Sequence, residues 1–120
     1  MAITVTHHTA GPLLEYAGNV SANAASPENY GIAFRVCTLT FDSSYPTGGE
    51  ALAATGVEAT EIVHVIAPMT SGYVFQWDQA NLKLLAYYAD YNAVGDGALI
   101  QVPNTTDLAT LAPRCLILCR

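Results

Sequence analysis

The stretch 90–97 (DYNAVGDG) contains part of the ligand spacing of a calcium-binding loop. Such a loop places oxygen ligands at its first, third and fifth positions, glycine at its sixth and a bidentate Glu at its twelfth. The residues that fit are Asp90, Asn92 and Gly95. Val94 stands at the fifth position and Gln101 at the twelfth, so two ligands are missing. The stretch therefore favours a β-turn rich in Gly, Asn and Asp over a metal site.

Histidine and cysteine, the usual zinc ligands, do not stand at the spacings of a zinc site. His7 and His8 are adjacent, so on a strand they point to opposite faces and do not hold one ion together. His64 lies inside an apolar strand, which favours a buried, hydrogen-bonded histidine. We therefore predict no metal and no cofactor.

A Cys–His pair is the strongest candidate for nucleophilic catalysis. Cys37 with His64 could in principle form it. Both lie in apolar strands, however, and burial there raises the pKa of a thiol and lowers its reactivity. The sequence contains no Gly-x-Ser-x-Gly elbow, phosphate loop or dinucleotide fingerprint. Its ten acids show no pairing in sequence that would suit a glycosidase. We therefore expect a protein that is not an enzyme.

The chain has three cysteines, Cys37, Cys115 and Cys119. If 113–120 is a strand, the last two lie on one face about 13 Å apart. That separation exceeds the reach of a disulfide, roughly 7 Å between Cα atoms. Cys37 could meet one of them across a sheet. We predict buried free thiols that act as small apolar residues.

The segment 40–52 (TFDSSYPTGGEAL) raises the question of a phosphate-binding or serine-dependent loop. No basic side chain stands near it to hold a phosphate, and its serines lack a base. Pro46 presets a turn, and the pair Gly48-Gly49 supplies backbone freedom. The segment therefore predicts a corner between strands.

Alternating apolar and polar residues predict an all-β domain. The predicted strands are 3–7, 13–16, 34–41, 61–67, 72–77, 82–88, 99–102 and 113–120. Asp78 and Asn81 suit the turn of a hairpin between the fifth and sixth of these. Two short helical turns are predicted, at 50–55 and 106–111. The expected fold is a single domain (1–120), an antiparallel β-sandwich or barrel-like core (32–120) with a less regular N-terminal arm (1–31).

The chain is unusually poor in charge: 12% of its residues are Asp, Glu, Lys or Arg and 52% are hydrophobic. Ordinary soluble domains contain roughly 25% charged residues. We expect part of the apolar surface to be covered by another chain.

A net charge of −6 with only four cations argues against nucleic-acid and anionic-membrane partners. No apolar run approaches the length of a membrane span, and the first 34 residues lack the Lys or Arg of a secretory signal. Synthesis in the cytosol is the expectation.

The aromatic residues of the predicted hairpin are the candidate contact residues. Residues 73, 75 and 77 share one strand face, and because Tyr87 and Tyr88 are adjacent, one of them must face outward. An outward Tyr in a surface of low charge density is typical of a protein interface. The predicted interface with another subunit or another protein consists of Tyr73, Trp77, Tyr87, Tyr88 and Tyr91.

Residues 39–118 resemble a group of small structural proteins of tailed bacteriophages. The strongest pieces are 41–50 (FDSSYPTGGE) and 72–75 (GYVF) with Asp78, Asn81, Lys83 and Leu84. The first third of the chain and the C-terminal Cys115, Cys119 and Arg120 do not match clearly.

The resemblance implies a capsid decoration, or cement, protein. Such a protein sits as a homotrimer on the outer capsid surface of the virion and clamps neighbouring subunits of the major capsid protein. Its partners would be itself and the major capsid protein, with no nucleic acid and no membrane. The alternatives are a tail, connector or fibre-base component of a phage, or a small carbohydrate-binding module that uses the Tyr/Trp face.

Overall fold

The computed structural model describes residues 3–8, 33–89 and 97–120. They form two antiparallel sheets, which confirms the predicted all-β sandwich. The strands are β1 (Thr4–His7), β2 (Ala33–Thr40), β3 (Glu50–Ala51), β4 (Ile62–Ile66), β5 (Val74–Asp78), β6 (Lys83–Tyr88), β7 (Ile100–Gln101) and β8 (Arg114–Cys119). Sheet I has the order β1-β2-β8-β4. Sheet II has the order β3-β6-β5, and β7 also pairs with β6.

In β2 and β8, the two central strands of sheet I, side chains alternate between the two faces of the sheet, and the odd-numbered residues face the core. Cys37 lies directly opposite Cys115, and Arg35 lies opposite Ile117. On the other side of β2, His7 of β1 lies opposite Cys37. The buried residues of these strands are Cys37, Leu39, Cys115, Ile117 and Cys119. The period-two pattern in the sequence therefore gives the inner face of this sheet correctly.

A β-bulge in β4 places His64 on the outside of the sandwich. The pairing with β8 shifts between Ile62 and His64, so Val63 is an extra residue. After the bulge Val65 faces the core and His64 faces out, where it is exposed. The prediction of a buried His64 is wrong because regular alternation cannot anticipate the extra residue.

The hairpin of β5 and β6 forms as predicted. Trp77 pairs with Leu84. At the turn, Asp78 Oδ1 accepts the backbone N–H groups of Ala80 and Asn81, and its Oδ2 accepts the Asn81 side-chain amide at 2.7 Å. These hydrogen bonds to Asn81 lower the pKa of Asp78, because they favour the charged carboxylate.

The first predicted helical turn, 50–55, begins too early. Glu50 and Ala51 are extended because they pair with Leu84 and Lys83 of β6. A short 3-10 helix follows at Ala54–Val57. The strand pairing thus overrides the helix-forming composition of the segment.

The second predicted helical turn, 106–111, is absent. Thr106 instead forms a backbone bridge with Tyr45. Asp107 Oδ1 accepts the N–H of Ala109 at 2.9 Å, a local hydrogen bond that competes with helix formation. The prediction is wrong because these contacts hold the segment in successive turns.

Some predictions fall on residues outside the described ranges. The strand at 13–16, most of the N-terminal arm and positions 90–96 of the calcium-like stretch are among them.

Tyr45, at the centre of the corner 41–50, completes the edge of sheet II. On this edge β3 pairs with β6 at residues 83–84, and β7 pairs with it at residues 87–88. Between them the buried Tyr45 hydroxyl accepts the backbone N–H of Ala86 at 3.0 Å and the side-chain amide of Gln101 at 3.1 Å. The Tyr45 side chain thus accepts the hydrogen bond that a neighbouring strand would otherwise accept. The predicted corner between strands is confirmed.

Replacing Tyr45 with Phe should lower the free energy of unfolding by about 1–3 kcal/mol, because the buried N–H of Ala86 loses its acceptor. Denaturant unfolding measures the change. Tyr87→Phe is the matched control: Tyr87 lies on the outer face of sheet II, and its hydroxyl has no hydrogen-bond partner among the described residues. Equal effects of the two substitutions would contradict the role given to the Tyr45 hydroxyl.

The two glycines of the corner should differ in their tolerance of alanine. Both have positive φ, 93° at Gly48 and 99° at Gly49. A Cβ at Gly48 meets nothing within 4 Å, whereas one at Gly49 would lie 2.9 Å from the Leu84 carbonyl oxygen. Gly48→Ala should cost about 1–2 kcal/mol for the backbone conformation alone. Gly49→Ala should cost about 1–3 kcal/mol more because the backbone of β6 must move. Thermal unfolding of the two variants tests this order, and a reversed order would rule out the close approach.

Candidate functional site

The predicted aromatic interface does not form one surface. Trp77 is 9% exposed, and Tyr73 and Tyr88 are half-buried against the core. Tyr87 pairs with Val74 on the opposite, outer face of sheet II, so it is the outward member of its pair. Tyr91 lies outside the described residues. A contact between these residues and a second chain stays a prediction, and Tyr87 is the member on the outer face.

The indole of Trp77 links the two sheets. Its Nε1 donates a hydrogen bond to Gln79 Oε1 at 2.6 Å, and Gln79 Nε2 donates to the Ile62 carbonyl of β4 at 2.8 Å. Because the ring is buried, it offers no open face for stacking on a sugar. The carbohydrate-binding alternative therefore loses the Trp on which it depended.

The outer face of sheet I carries a contiguous group of apolar side chains. In one row Phe34, Leu118 and His64 lie side by side across β2, β8 and β4. In the next row, about 7 Å along the strands, the neighbours are Val36, Leu116 and Ile66. We call the apolar members of these rows the apolar face: Phe34, Val36, Ile66, Leu116 and Leu118.

Two members of the apolar face are strongly exposed. Phe34 is 41% exposed and Ile66 is 52% exposed. Leu116 and Leu118, between them on the central strand, are half-buried. Exposed large apolar side chains that adjoin one another, rather than being scattered, are typical of a contact surface.

Polar groups border the apolar face at both ends. At one end Arg114 lies opposite Thr38, whose Oγ1 is 2.6 Å from His8 Nε2. At the other end Arg120 Nε forms an ion pair with Glu61 Oε2 at 2.6 Å. An apolar centre with a polar rim is the usual composition of a protein interface.

The outer face of sheet II is different in character. Its side chains include those of Val74, Gln76, Asp78, Lys83, Leu85 and Tyr87. Polar and apolar groups are interspersed on this face, and Val74 and Leu85 are half-buried. Of the two outer faces, that of sheet I is therefore the better candidate for contact with another chain.

The Cys37–His64 pair that the sequence allowed in principle does not form, because the two side chains lie on opposite faces of sheet I. His7 is the histidine beside the thiol, with Nδ1 3.6 Å from Cys37 Sγ. His8 faces the other way, as expected for adjacent strand residues. Burial raises the pKa of the Cys37 thiol, so the contact does not create a reactive thiolate.

All three cysteines are free and buried, as predicted. Burial raises the pKa of Cys115 to about 12 and also raises that of Cys119. These thiols therefore act as apolar core residues rather than as nucleophiles.

Sequence reasoning missed one cluster of ionisable groups, the pair Asp42 and Glu50. The corner brings these acids together although eight positions separate them. Glu50 is 0% exposed, and neither of its carboxyl oxygens has a hydrogen-bond partner. Asp42 Oδ1 accepts the N–H of Ser44 at 2.7 Å, while its buried Oδ2 has no partner. Burial, followed by the charge of Asp42, raises the pKa of Glu50 to about 7. The predicted corner could have indicated this pair of acids, because a corner reverses the chain between Asp42 and Glu50 and brings them close together.

Two classes of site are absent from the described ranges. There, no group of three or more His, Cys, Asp or Glu side chains is placed to hold a metal ion. No helix in 3–8, 33–89 or 97–120 has the length and apolar character needed to cross a membrane.

Comparison of the chain with protein-family models, curated proteins and solved structures found no match.

The folded protein should resist thiol-modifying reagents. At about pH 8 its three buried cysteines should remain unlabelled under native conditions and react fully in denaturant, because burial disfavours the thiolate. Met69→Cys places a thiol at a position that is 71% exposed and should label rapidly, as a control for the reagent. Rapid labelling of the native wild-type protein would contradict the buried, inert thiols.

Proposed function

We propose that this chain is a capsid decoration protein of a tailed bacteriophage, which binds the outer capsid surface as a homotrimer and stabilises the expanded shell. The resemblance of residues 39–118 to phage structural proteins supports the proposal. The structural observation that carries it is the apolar face of sheet I. The face would contact the major capsid protein, and the more mixed outer face of sheet II would remain toward solvent.

The size of the apolar face favours a multivalent protein. Full burial of one large apolar side chain contributes about 1.5–3 kcal/mol. Phe34 and Ile66 are already about half-buried, so covering them contributes on the order of 2 kcal/mol. That is too little for stable association of a single copy, because binding also costs translational and rotational freedom. A trimer presents three such faces at once, and linked contacts raise the overall affinity without any new interaction.

Charge also supports a protein partner. The net charge of −6 disfavours binding to nucleic acid or to anionic lipid. The charged groups beside the apolar face, Arg114 and the Glu61–Arg120 ion pair, lie at its ends rather than within it. A partner with an apolar patch of similar width would bury no unpaired charge there.

The buried thiols support a non-enzymatic role. Cys37, the best candidate nucleophile in the sequence, has a raised pKa and lies on the core side of sheet I. His64, the histidine that was considered as its partner, lies on the outer side. The proposed role needs no reacting group and depends on surface complementarity alone.

The first measurement is the absolute mass of the purified protein by light scattering. A trimer is expected. A hexamer or larger ring would favour a tail or connector component instead, and a strict monomer would remove the multivalency on which the proposal relies.

The second test is the rupture temperature of undecorated capsids with added protein. Wild-type protein should raise it, and Ile66→Asp should bind at least about tenfold more weakly, a loss of about 1.4 kcal/mol. The charge would have to be buried in an apolar contact. Met69→Asp introduces the same charge at an exposed position outside the apolar face and should behave as wild type. Equal stabilisation by both variants would exclude the apolar face as the capsid contact.

A further inference from the structure

We propose that Asp42 and Glu50 share one proton, and that this proton makes the corner 41–50 a pH-sensitive joint between the two sheets. The inference does not depend on the proposed function, and its test uses the protein alone. Glu50 ends the corner and begins β3, and Asp42 lies two residues after the last residue of β2.

The unpartnered oxygens are the first part of the argument. Glu50 Oε1, Glu50 Oε2 and Asp42 Oδ2 are all buried and have no hydrogen-bond donor. As carboxylates, both groups are acceptors only. Two charged acceptors buried side by side repel each other and lose their hydration. A single proton converts one of them into a donor to the other and removes one charge.

The surroundings supply no other compensation among the described residues. Lys83 pairs with Ala51, the neighbour of Glu50, and so lies on the opposite face of sheet II with Asp78. Asp107, beside the Leu108 that donates to the Asp42 carbonyl, is exposed. The hydroxyl of Tyr45 is committed to Ala86 and Gln101. No ion pair reaches Glu50 from 3–8, 33–89 or 97–120.

A cation is the competing occupant, and the geometry disfavours it. Hard divalent cations take six or more oxygen ligands. Among the described residues, only Asp42 and Glu50 offer free oxygens here, and each free oxygen is closed to solvent, so waters cannot complete the coordination shell. A proton needs no further ligands.

The location of the pair gives the proton its structural consequence. Asp42 holds the start of the corner through Ser44 and through the N–H of Leu108 on its carbonyl oxygen. Glu50 lies opposite Leu84 at the edge of sheet II. Loss of the proton would therefore strain the connection that carries Tyr45 and Gly49 between the sheets.

The direction of the pH effect follows from the raised pKa of Glu50. The folded state holds this proton up to about pH 7, whereas the unfolded chain releases it near its ordinary value of 4.5. The stabilisation is complete below the unfolded value and is lost as the pH rises through the folded value. Between about pH 5 and about pH 8 the folded-to-unfolded ratio should fall on the order of a hundredfold from this group.

The experiment compares denaturant unfolding of wild type and Glu50→Gln from about pH 5 to about pH 8. The glutamine amide stays neutral and can donate to Asp42, so the variant should lose most of this pH dependence and exceed wild type in stability at the upper end. Glu58→Gln removes one carboxyl at an exposed position and should keep the wild-type pH profile. Identical profiles for all three proteins would overturn the proposal.

If Glu50→Gln fails to fold, the titration of Glu50 can be measured directly in the wild-type protein. Carbon NMR of the wild-type carboxyl groups should show Glu50 titrating near pH 7. Asp42→Asn should shift the Glu50 titration to lower pH, because the neighbouring charge is gone. Titration of wild-type Glu50 near its ordinary value would exclude a shared proton.

Melting temperature with added Ca²⁺ or Mg²⁺ tests the competing occupant. A rise that Glu50→Gln abolishes would show that the two acids hold a cation and not a shared proton.

Discussion

The hydrogen bond from the backbone of Ala86 to the Tyr45 hydroxyl is the contact on which the sandwich depends most. Sheet II has two short strands, β3 and β7, along one edge of β6, and neither provides an acceptor for the backbone N–H of Ala86. The corner from sheet I supplies the missing acceptor through a side chain rather than through a strand. The same corner needs Gly49 because β6 passes so close to it. The corner 41–50 therefore sets the spacing between the two sheets and also completes the edge of sheet II.

The sequence predicted most of the fold because the strands alternate regularly. In β2, β8 and the hairpin of β5 and β6, the residues that were predicted to share a face do share one. The predictions that failed concern features that only tertiary contacts decide. Val63 adds one residue to β4 and turns His64 outward, and pairing with β6 extends a segment whose composition favours a helical turn. No local pattern carries either signal.

The candidate site was harder to predict because it depends on which strands become neighbours. Phe34, Ile66 and Leu116 stand far apart in the chain, and the order β2-β8-β4 alone brings them into one surface. Aromatic content pointed instead to the β5–β6 hairpin, where Trp77 turned out to belong to the core. Asp42 and Glu50 show the same limit: the corner was predictable, but the burial of both acids within it was not.

The bulge in β4 has a consequence for how copies of this molecule could associate. β4 is the outermost strand on its side of sheet I among the described strands, and a regular outermost strand offers its backbone to any passing chain. The extra residue interrupts that ladder and increases the local twist. The bulge therefore disfavours open-ended association of copies by strand pairing along β4. Contact through the flat of the sheet, where the apolar face lies, remains open.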